Sequence, residues 1–171
     1  IICGGTAYKD LKSNEKPSLR WTYGKSREEK LNDKKGFASN NFMMYKYDFL
    51  DIMFNENILG YGHEDTLFGI HCKQKGYRFE KCHSPLLHLG LEPDNVFISK
   101  SKEAVVNLKK LYLEGKIGPE DSRLIAFHEQ LKYKHLLKGL LYPFIFVLLF
   151  MVKKQHNLKA FDILKWYWFS S

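Results

Sequence analysis

Apolar positions three and four residues apart mark the predicted helices of this 171-residue chain. In the clearest of them, Val105, Leu108 and Leu111 share one face, and Gly115 follows as a stop signal. The last predicted helix opens with Pro119, a residue favoured at the first helical position. The predicted helices are residues 46–50, 65–75, 101–114 and 119–138.

Short runs of apolar or alternating residues predict the strands between these helices. The predicted strands are the start of the chain through Cys3, residues 19–23, 37–45 and 77–81, with a further apolar run at 85–90. Residues 8–35 are polar and are predicted to form a long loop, which in a compact domain is typical of a functional or mobile segment. A strand that starts at Ile1 predicts that the chain is a fragment of a longer protein.

Residues 139–152 form an apolar run of fourteen residues without a charge, and lysines flank it at positions 138, 153 and 154. Spanning a bilayer takes about 20 apolar residues, so this run is short. An apolar helix with basic flanks and nearby aromatic residues fits a segment that lies in an anionic membrane surface. A core helix of the domain explains the same run equally well.

The formal net charge of +8 indicates which partners the chain binds, because it is concentrated at the two ends of the chain. Residues 132–171 carry seven lysines against one acidic residue, Asp162. Such a balance favours anionic lipid or a phosphorylated substrate as partner. Nucleic acid is not predicted, because no helix-turn-helix, zinc-finger or RNA-recognition pattern is present.

The cysteine pattern indicates neither a disulfide framework nor a zinc site. Cys3, Cys72 and Cys82 are odd in number and have no close pair spacing. This pattern fits a reducing compartment, and all three are predicted to be buried structural thiols.

The candidate chemistry is concentrated in residues 60–65, with the sequence GYGHED. Glycines on both sides of Tyr61 permit unusual backbone angles and a close approach of the ring to a ligand. Glu64 and Asp65 follow at the start of a predicted helix, where the peptide dipoles favour negative charge. Acidic residues in a first helical turn are also ordinary capping chemistry, so a proton acceptor and a helix cap both remain possible here.

His88 is a second candidate, because it lies in an apolar run just before Gly90 and Glu92. One interpretation is a core histidine whose ring is satisfied by its neighbours. The other is a ligand for Mn²⁺ or a similar ion, which accepts imidazole together with carboxylates. The second interpretation needs carboxylate ligands from a motif that this chain does not contain.

Three segments together resemble the C-terminal half of family 2 glycosyltransferases, in particular a bacterial branch with a galactosyltransferase-type motif. They are residues 37–42 (FASNNF), 60–65 (GYGHED) and 88–92 (HLGLE), in the order and spacing of that family. The resemblance covers roughly residues 1–113. It implies an α/β fold: the C-terminal portion of a GT-A nucleotide-sugar transferase fold, a mixed sheet with flanking helices, followed here by a helical, membrane-associated tail.

The resemblance also implies a function and roles for individual residues. It implies inverting transfer of a hexose from a nucleotide-sugar, with a UDP-hexose as the expected donor, to a saccharide acceptor, with Mn²⁺ or Mg²⁺ as cofactor. Asp65 would be the catalytic base, Glu64 would hold an acceptor hydroxyl, and Tyr61 would stack on a sugar ring. His88 would complete the metal shell. The other implied substrate-binding residues are Asn40, Asn41, Gly62 and His63.

The chain departs from that family's pattern at three positions. Tyr61 stands where tryptophan is usual, His63 where glycine is usual and Thr66 where a further acid is usual. These differences leave the acceptor open. The nucleotide-binding half with its Asp-x-Asp motif is also absent, so this chain alone is predicted not to turn over.

The sequence thus predicts a glycosyltransferase fragment of bacterial polysaccharide biosynthesis, peripheral at the cytoplasmic face of the cell membrane. Residues 1–113 would be the acceptor and metal side of the catalytic domain, residues 114–138 a helical extension, and residues 139–171 the membrane-associated tail. The alternative is a non-catalytic membrane-peripheral binding module, which would use the basic tail to dock on anionic lipid.

Overall fold

The computed structural model of the chain describes residues 1–31, 37, 39–58 and 60–171. It has the mixed helix and sheet content predicted from the sequence. The chain divides into two compact units. Unit 1 comprises Ile1–Leu59 and Glu64–Glu92, and unit 2 comprises Gly60–His63 and Pro93–Ser171.

Unit 1 contains two small sheets built from short strands. In the first, β1 (Ile2–Cys3) pairs antiparallel with β3 (Phe42–Met43) and parallel with β4 (Glu80–Lys81). In the second, β2 (Thr6–Ala7) pairs parallel with β5 (Leu86–Leu87). Strands or apolar runs were expected at β1, β3, β4 and β5 but not at β2, and the paired parts of 37–45 and 77–81 are only two residues each. Residues 32–36 and Ala38, which fall in the predicted loop and strand, lie outside the described residues.

The helices of unit 1 are α1 (Leu19–Tyr23), α2 (Lys46–Ile52) and α3 (Glu64–Gln74). The prediction of a strand at residues 19–23 is therefore wrong. Ser18 caps this helix, because its side chain accepts a hydrogen bond from the backbone of Trp21. A π-helical turn (Gly24–Glu28) and a 3-10 turn (Glu29–Leu31) continue it, so part of the predicted loop is helical.

The core of unit 1 is an aromatic cluster around Phe68 of α3. Phe68 is 1% exposed and stacks on Phe54 with ring centroids 4.4 Å apart. Phe37 lies 4.9 Å from it, and Cys3 and Cys72 complete the buried centre. Burial raises the pKa of the Cys72 thiol. Cys82 is exposed, so the prediction of three buried thiols fails at that position.

Unit 2 is helical in the residues described. Its helices are α4 (Asp94–Leu113), α5 (Arg123–Gln130), α6 (Lys134–Leu141), α7 (Ile145–Gln155) and α8 (Leu158–Phe169), with a 3-10 turn (Tyr142–Phe144) between α6 and α7. The α8 helix packs against α4, α5 and α7. The predicted stripe of Val105, Leu108 and Leu111 is confirmed, because all three residues are buried.

Two predicted helices in unit 2 have wrong bounds, and the second of them begins at Arg123 and not at Pro119. The α4 helix begins seven residues earlier than predicted, directly after Pro93, and its additional turns bury Phe97 and Ile98. The single helix predicted for 119–138 is broken at Leu131, which caps α5 in an extended conformation. The units also divide the chain at different places from the segments 1–113, 114–138 and 139–171, which stay a prediction about domains.

Within the described residues, Lys134–Gln155 is the one helical stretch long and apolar enough to cross a membrane, with a mean hydropathy of 2.0. Only 11% of its most apolar part is buried inside the structure. The interpretation of this segment as an ordinary core helix therefore does not hold for most of its surface.

Candidate functional site

The turn before α3 has a backbone that most residues avoid. Gly60 and Gly62 have φ angles of +90° and +99°, and His63 follows with +73°. Positive φ is easy for glycine and costly for histidine, and such strain is concentrated at functional sites. Two of the residues implied to bind substrate, Gly62 and His63, thus lie in a strained turn.

Helix α4 holds this turn within unit 2 by three contacts to Tyr61. The backbone nitrogen of Tyr61 donates to Glu103 Oε1 at 2.8 Å, and Asn107 Nδ2 donates to the Tyr61 carbonyl at 3.0 Å. The Lys100 ammonium lies 5.2 Å from the centre of the Tyr61 ring, within cation–π distance. Tyr61 remains 47% exposed, so its ring is both held in place and open to solvent.

Gly62 allows the turn to approach α4 closely, and this can be tested by substitution. A Cβ at Gly62 would lie 2.7 Å from Cβ of Ala104, whereas one at Gly115, also at positive φ in unit 2, would meet nothing within 4 Å. We expect Gly115→Ala to lower the free energy of unfolding by about 1 kcal/mol from backbone strain. Gly62→Ala should cost about 2–3 kcal/mol, because overpacking adds to the strain. Urea unfolding of both variants checks this, and equal losses would contradict the described approach to α4.

Glu64 and Asp65 are the first residues of α3, in unit 1. Glu64 is exposed, and Asp65 is partly buried. Asp65 Oδ1 accepts a hydrogen bond from the Thr66 backbone nitrogen at 2.7 Å. This is a local hydrogen bond in the first turn of the helix, as the capping interpretation expects. It uses one carboxylate oxygen, and no described residue donates to Oδ2, so the carboxylate retains a site that can accept a proton.

Asn40, Asn41 and His88 border the same short segment of unit 1, which is the region of β2. Asn41 Nδ2 donates to the Gly5 carbonyl at 3.0 Å and to the Ser84 carbonyl at 2.9 Å. Asn40 Nδ2 donates to Thr6 Oγ1, and the backbone nitrogen of His88 donates to the Ala7 carbonyl at 2.9 Å. The amide nitrogens of both asparagines therefore serve the fold. In the described part of the chain, no hydrogen bond or ion pair joins Asp65 with His88.

The His88 ring is surrounded by a charged cluster that the sequence did not reveal. Its Nδ1 lies 3.1 Å from Tyr8 Oη and 3.3 Å from Arg20 Nη2. Arg20 makes a two-armed ion pair with Glu28 at 3.0 and 3.1 Å, and its Nε lies 3.9 Å from Glu92. The interpretation of His88 as a histidine satisfied by its neighbours is thus correct for one ring nitrogen.

Burial and the contact with Glu28 together set the protonation of two members of this cluster. Tyr8 is 3% exposed and donates to Glu28, and both its burial and this bond raise the pKa of its phenol. Burial acts to lower the pKa of Arg20, but the hydrogen bond and charge of Glu28 outweigh it and raise that pKa. Tyr8 therefore remains a neutral donor and Arg20 a cation, and the His88 ring is held between them.

Gly24 makes this arrangement possible. A Cβ at Gly24 would overlap the Tyr8 ring, at only 2.1 Å from its Cζ. The glycine therefore lets the phenol lie directly against the π-helical turn that carries Glu28.

The surroundings of His88 do not by themselves form a divalent metal site. The Nδ1 side of the ring is occupied by Tyr8 and Arg20, and the guanidinium of Arg20 pairs with Glu28 and lies 3.9 Å from Glu92. Among the described residues, no group of three histidine, cysteine, aspartate or glutamate side chains could hold an ion. The described residues around His88 thus do not complete a metal site, and the implied Mn²⁺ or Mg²⁺ stays a prediction.

Removing the cation of the partly buried Arg20–Glu28 pair should destabilise the fold more than removing that of an exposed pair. Its side chains are 9% and 31% exposed, against 44% and 61% for the Lys75–Asp51 pair in the same unit. We expect Arg20→Met to lower the free energy of unfolding by about 3 kcal/mol, since it leaves carboxylates without their cation. Lys75→Met should cost less than about 1 kcal/mol. Urea titration of both variants compares them, and an equal cost would show that the Arg20 cluster is not a structural centre.

Two sets of site residues escaped the sequence analysis. Lys100, Glu103 and Asn107 are three and four residues apart, which shows that they share a face of α4, but not that the face meets Tyr61. The contact between Arg20 and His88 joins positions 68 residues apart, and no local pattern predicts it.

Comparison with known proteins found no relative of this chain. No protein-family model matches the chain, and neither a curated protein nor a solved structure is detectably similar to it.

Proposed function

We propose that this chain is part of an inverting glycosyltransferase of the GT-A type that moves a hexose from a nucleotide-sugar, such as a UDP-hexose, to a saccharide acceptor. Its place would be the cytoplasmic face of a membrane, in polysaccharide synthesis. The observation that carries the proposal is the strained turn at Gly60–His63, which leads directly into a helix whose first residues are Glu64 and Asp65. A half-exposed aromatic ring anchored in that turn supports it.

The chemistry proposed for Asp65 needs one proton acceptor beside the acceptor sugar. Inverting transfer is a single displacement at the anomeric carbon, so the attacking hydroxyl must lose its proton as the new bond forms. In the proposal, Asp65 takes this proton on the carboxylate oxygen that Thr66 does not use. The Glu64 carboxylate, which is exposed at the start of α3, accepts a hydrogen bond from an acceptor hydroxyl.

Tyr61 fits the role of a sugar platform. A hexose ring has apolar C–H faces that pack on an aromatic ring, and the phenol adds a polar edge. The two hydrogen bonds between the Tyr61 backbone and side chains of α4 hold the turn that carries this ring before any ligand binds. Pre-organisation of this kind reduces the entropy cost of binding.

The proposal includes a divalent metal, which would neutralise the charge of the departing nucleoside diphosphate. His88 is the one ligand that the resemblance assigns to it in this chain. Because the described residues around His88 do not complete a metal site, no step above depends on the ion.

A second candidate is a non-catalytic module that docks on membranes, and the exposed apolar segment Lys134–Gln155 favours it. Turnover separates the two. The full-length protein is incubated with a panel of nucleotide-sugars, with and without saccharide acceptors, and release of nucleoside diphosphate is measured. The transferase proposal expects acceptor-dependent release with at least one donor. Vesicle binding without release from any donor would support the module instead.

A further inference from the structure

The α6–α7 region of unit 2 carries an exposed apolar surface. Side chains at spacings of four and three residues share one side of this helical stretch. They are Leu136, Leu140, Phe144, Val147 and Phe150, which are 63%, 59%, 58%, 51% and 52% exposed, and we call this set the docking face. Phe146 is beside it and is 80% exposed. So large an apolar area on a folded chain marks an interaction surface.

The opposite side of α7 is packed into unit 2. Helix α7 lies against α8, and Val152 is completely buried. A helix that is fixed along one side to a folded helical unit cannot be surrounded by lipid. The docking face is therefore the part of this helix that can enter an apolar phase.

The charge-free part of this stretch is too short to cross a membrane by itself. The charge-free part between Lys138 and Lys153 has fourteen residues. At about 1.5 Å per residue it extends for roughly 21 Å, less than the ~30 Å hydrocarbon core of a bilayer. Lys134–Gln155 as a whole is long enough to span, and its lysines stand near its two ends, so the packing of α7 against α8 is what argues against a simple crossing.

The charges around the docking face indicate which apolar phase it enters. Residues 130–161 contain no aspartate or glutamate, while lysines stand at both ends of the apolar run, at positions 132, 134, 138, 153, 154 and 159. A protein partner with an apolar groove does not require this excess of positive charge. The anionic surface of a bilayer does attract it, because lysines near the headgroups add to the apolar burial.

We infer that the docking face inserts in the plane of an anionic bilayer, to the depth of the headgroup and upper acyl region, with the lysines at the phosphates. This inference rests on the membrane location in the proposed function, but not on sugar transfer. Its occupant is lipid, and a second copy of the chain is the competing outcome.

Co-sedimentation of the full chain with vesicles tests the inference. Vesicles of phosphatidylglycerol and phosphatidylcholine in equal parts should bind the chain, and pure phosphatidylcholine vesicles should bind it at least about tenfold more weakly. The variant Leu140→Ser with Phe146→Ser should lose at least about tenfold in affinity for the anionic vesicles. The matched control, Val106→Ser with Leu113→Ser, changes residues of α4 that are 54% and 72% exposed, and it should bind like the wild type.

Depth is measured with the variant Phe146→Trp and brominated lipids. In-plane insertion predicts stronger fluorescence quenching by bromine near the headgroup than by bromine at the chain ends. Stronger quenching from the chain ends would overturn in-plane insertion.

Equal binding of both serine double variants would overturn the docking face, as would a concentration-dependent dimer that needs Leu140 and Phe146 but binds no vesicles. None of these outcomes depends on transferase activity, so this inference and the proposed function can fail separately.

Discussion

Asp65→Asn is expected to reduce kcat for sugar transfer by about 10²–10⁴-fold in the full-length protein, the range that a positioned general base contributes. The asparagine oxygen can still accept the hydrogen bond from the Thr66 backbone nitrogen, so the start of α3 keeps its local geometry. What the variant lacks is a group that can take a proton. KM for the acceptor should change little, because the lost interaction is made only in the transition state.

The matched control for this variant is Asp51→Asn, another carboxylate of unit 1. Asp51 is exposed and pairs with Lys75, and it has no role in the proposed chemistry. Steady-state kinetics of both variants, with circular dichroism to verify folding, separates chemistry from stability. Full activity of Asp65→Asn, or equal losses in both variants, would remove Asp65 from the role of base.

Phe68→Ala is expected to lower the free energy of unfolding by about 3–5 kcal/mol, the usual cost of removing a fully buried aromatic side chain. Phe68 is 1% exposed and lies within 6.1 Å, between ring centroids, of Phe37, Phe42, Phe49 and Phe54. The cavity left by its ring would therefore remove contacts from most of the aromatic core that supports α3.

Tyr47→Ala is the control for this change, because Tyr47 is an aromatic residue of unit 1 that is 85% exposed. It should change stability by less than about 0.5 kcal/mol. Urea unfolding followed by circular dichroism measures both variants. A loss below about 1 kcal/mol in Phe68→Ala would mean that the aromatic cluster is not the core of unit 1.

Helices with clear boundary signals were predictable from the sequence. The helix expected at residues 65–75 is observed at Glu64–Gln74, because acidic residues begin it and Gly76 follows it. The start of α4 lies before the predicted one, because Pro93 and Asp94 signal a helix start that the apolar stripe from Val105 onward does not contain.

Tertiary structure decides the features that local patterns do not contain. The alternation in Leu19–Tyr23 resembles a strand, but the cap at Ser18 and the ion pair of Arg20 with Glu28 stabilise a helix there. The guanidinium of Arg20 is buried against carboxylates of its own unit, a contact that the polar composition of residues 8–35 does not indicate. The partners of His88 could not be predicted either, since they come from distant parts of the chain.

The apolar tail shows how far composition alone can decide between alternatives. The sequence left a core helix and a membrane-surface helix equally possible for residues 139–152. The exposed side chains of the docking face exclude complete burial in unit 2.

The most direct test of the central claim is the anomeric configuration of the product, followed by proton NMR during turnover of the full-length protein. A nucleotide-sugar that the wild type uses is supplied with its acceptor, and the same reaction is run with Asp65→Asn. We predict that the wild type forms the anomer opposite to that of the donor, and that this signal grows at least about 10²-fold more slowly in the variant. A product that retains the donor configuration, or equal rates for both proteins, would contradict single displacement assisted by Asp65.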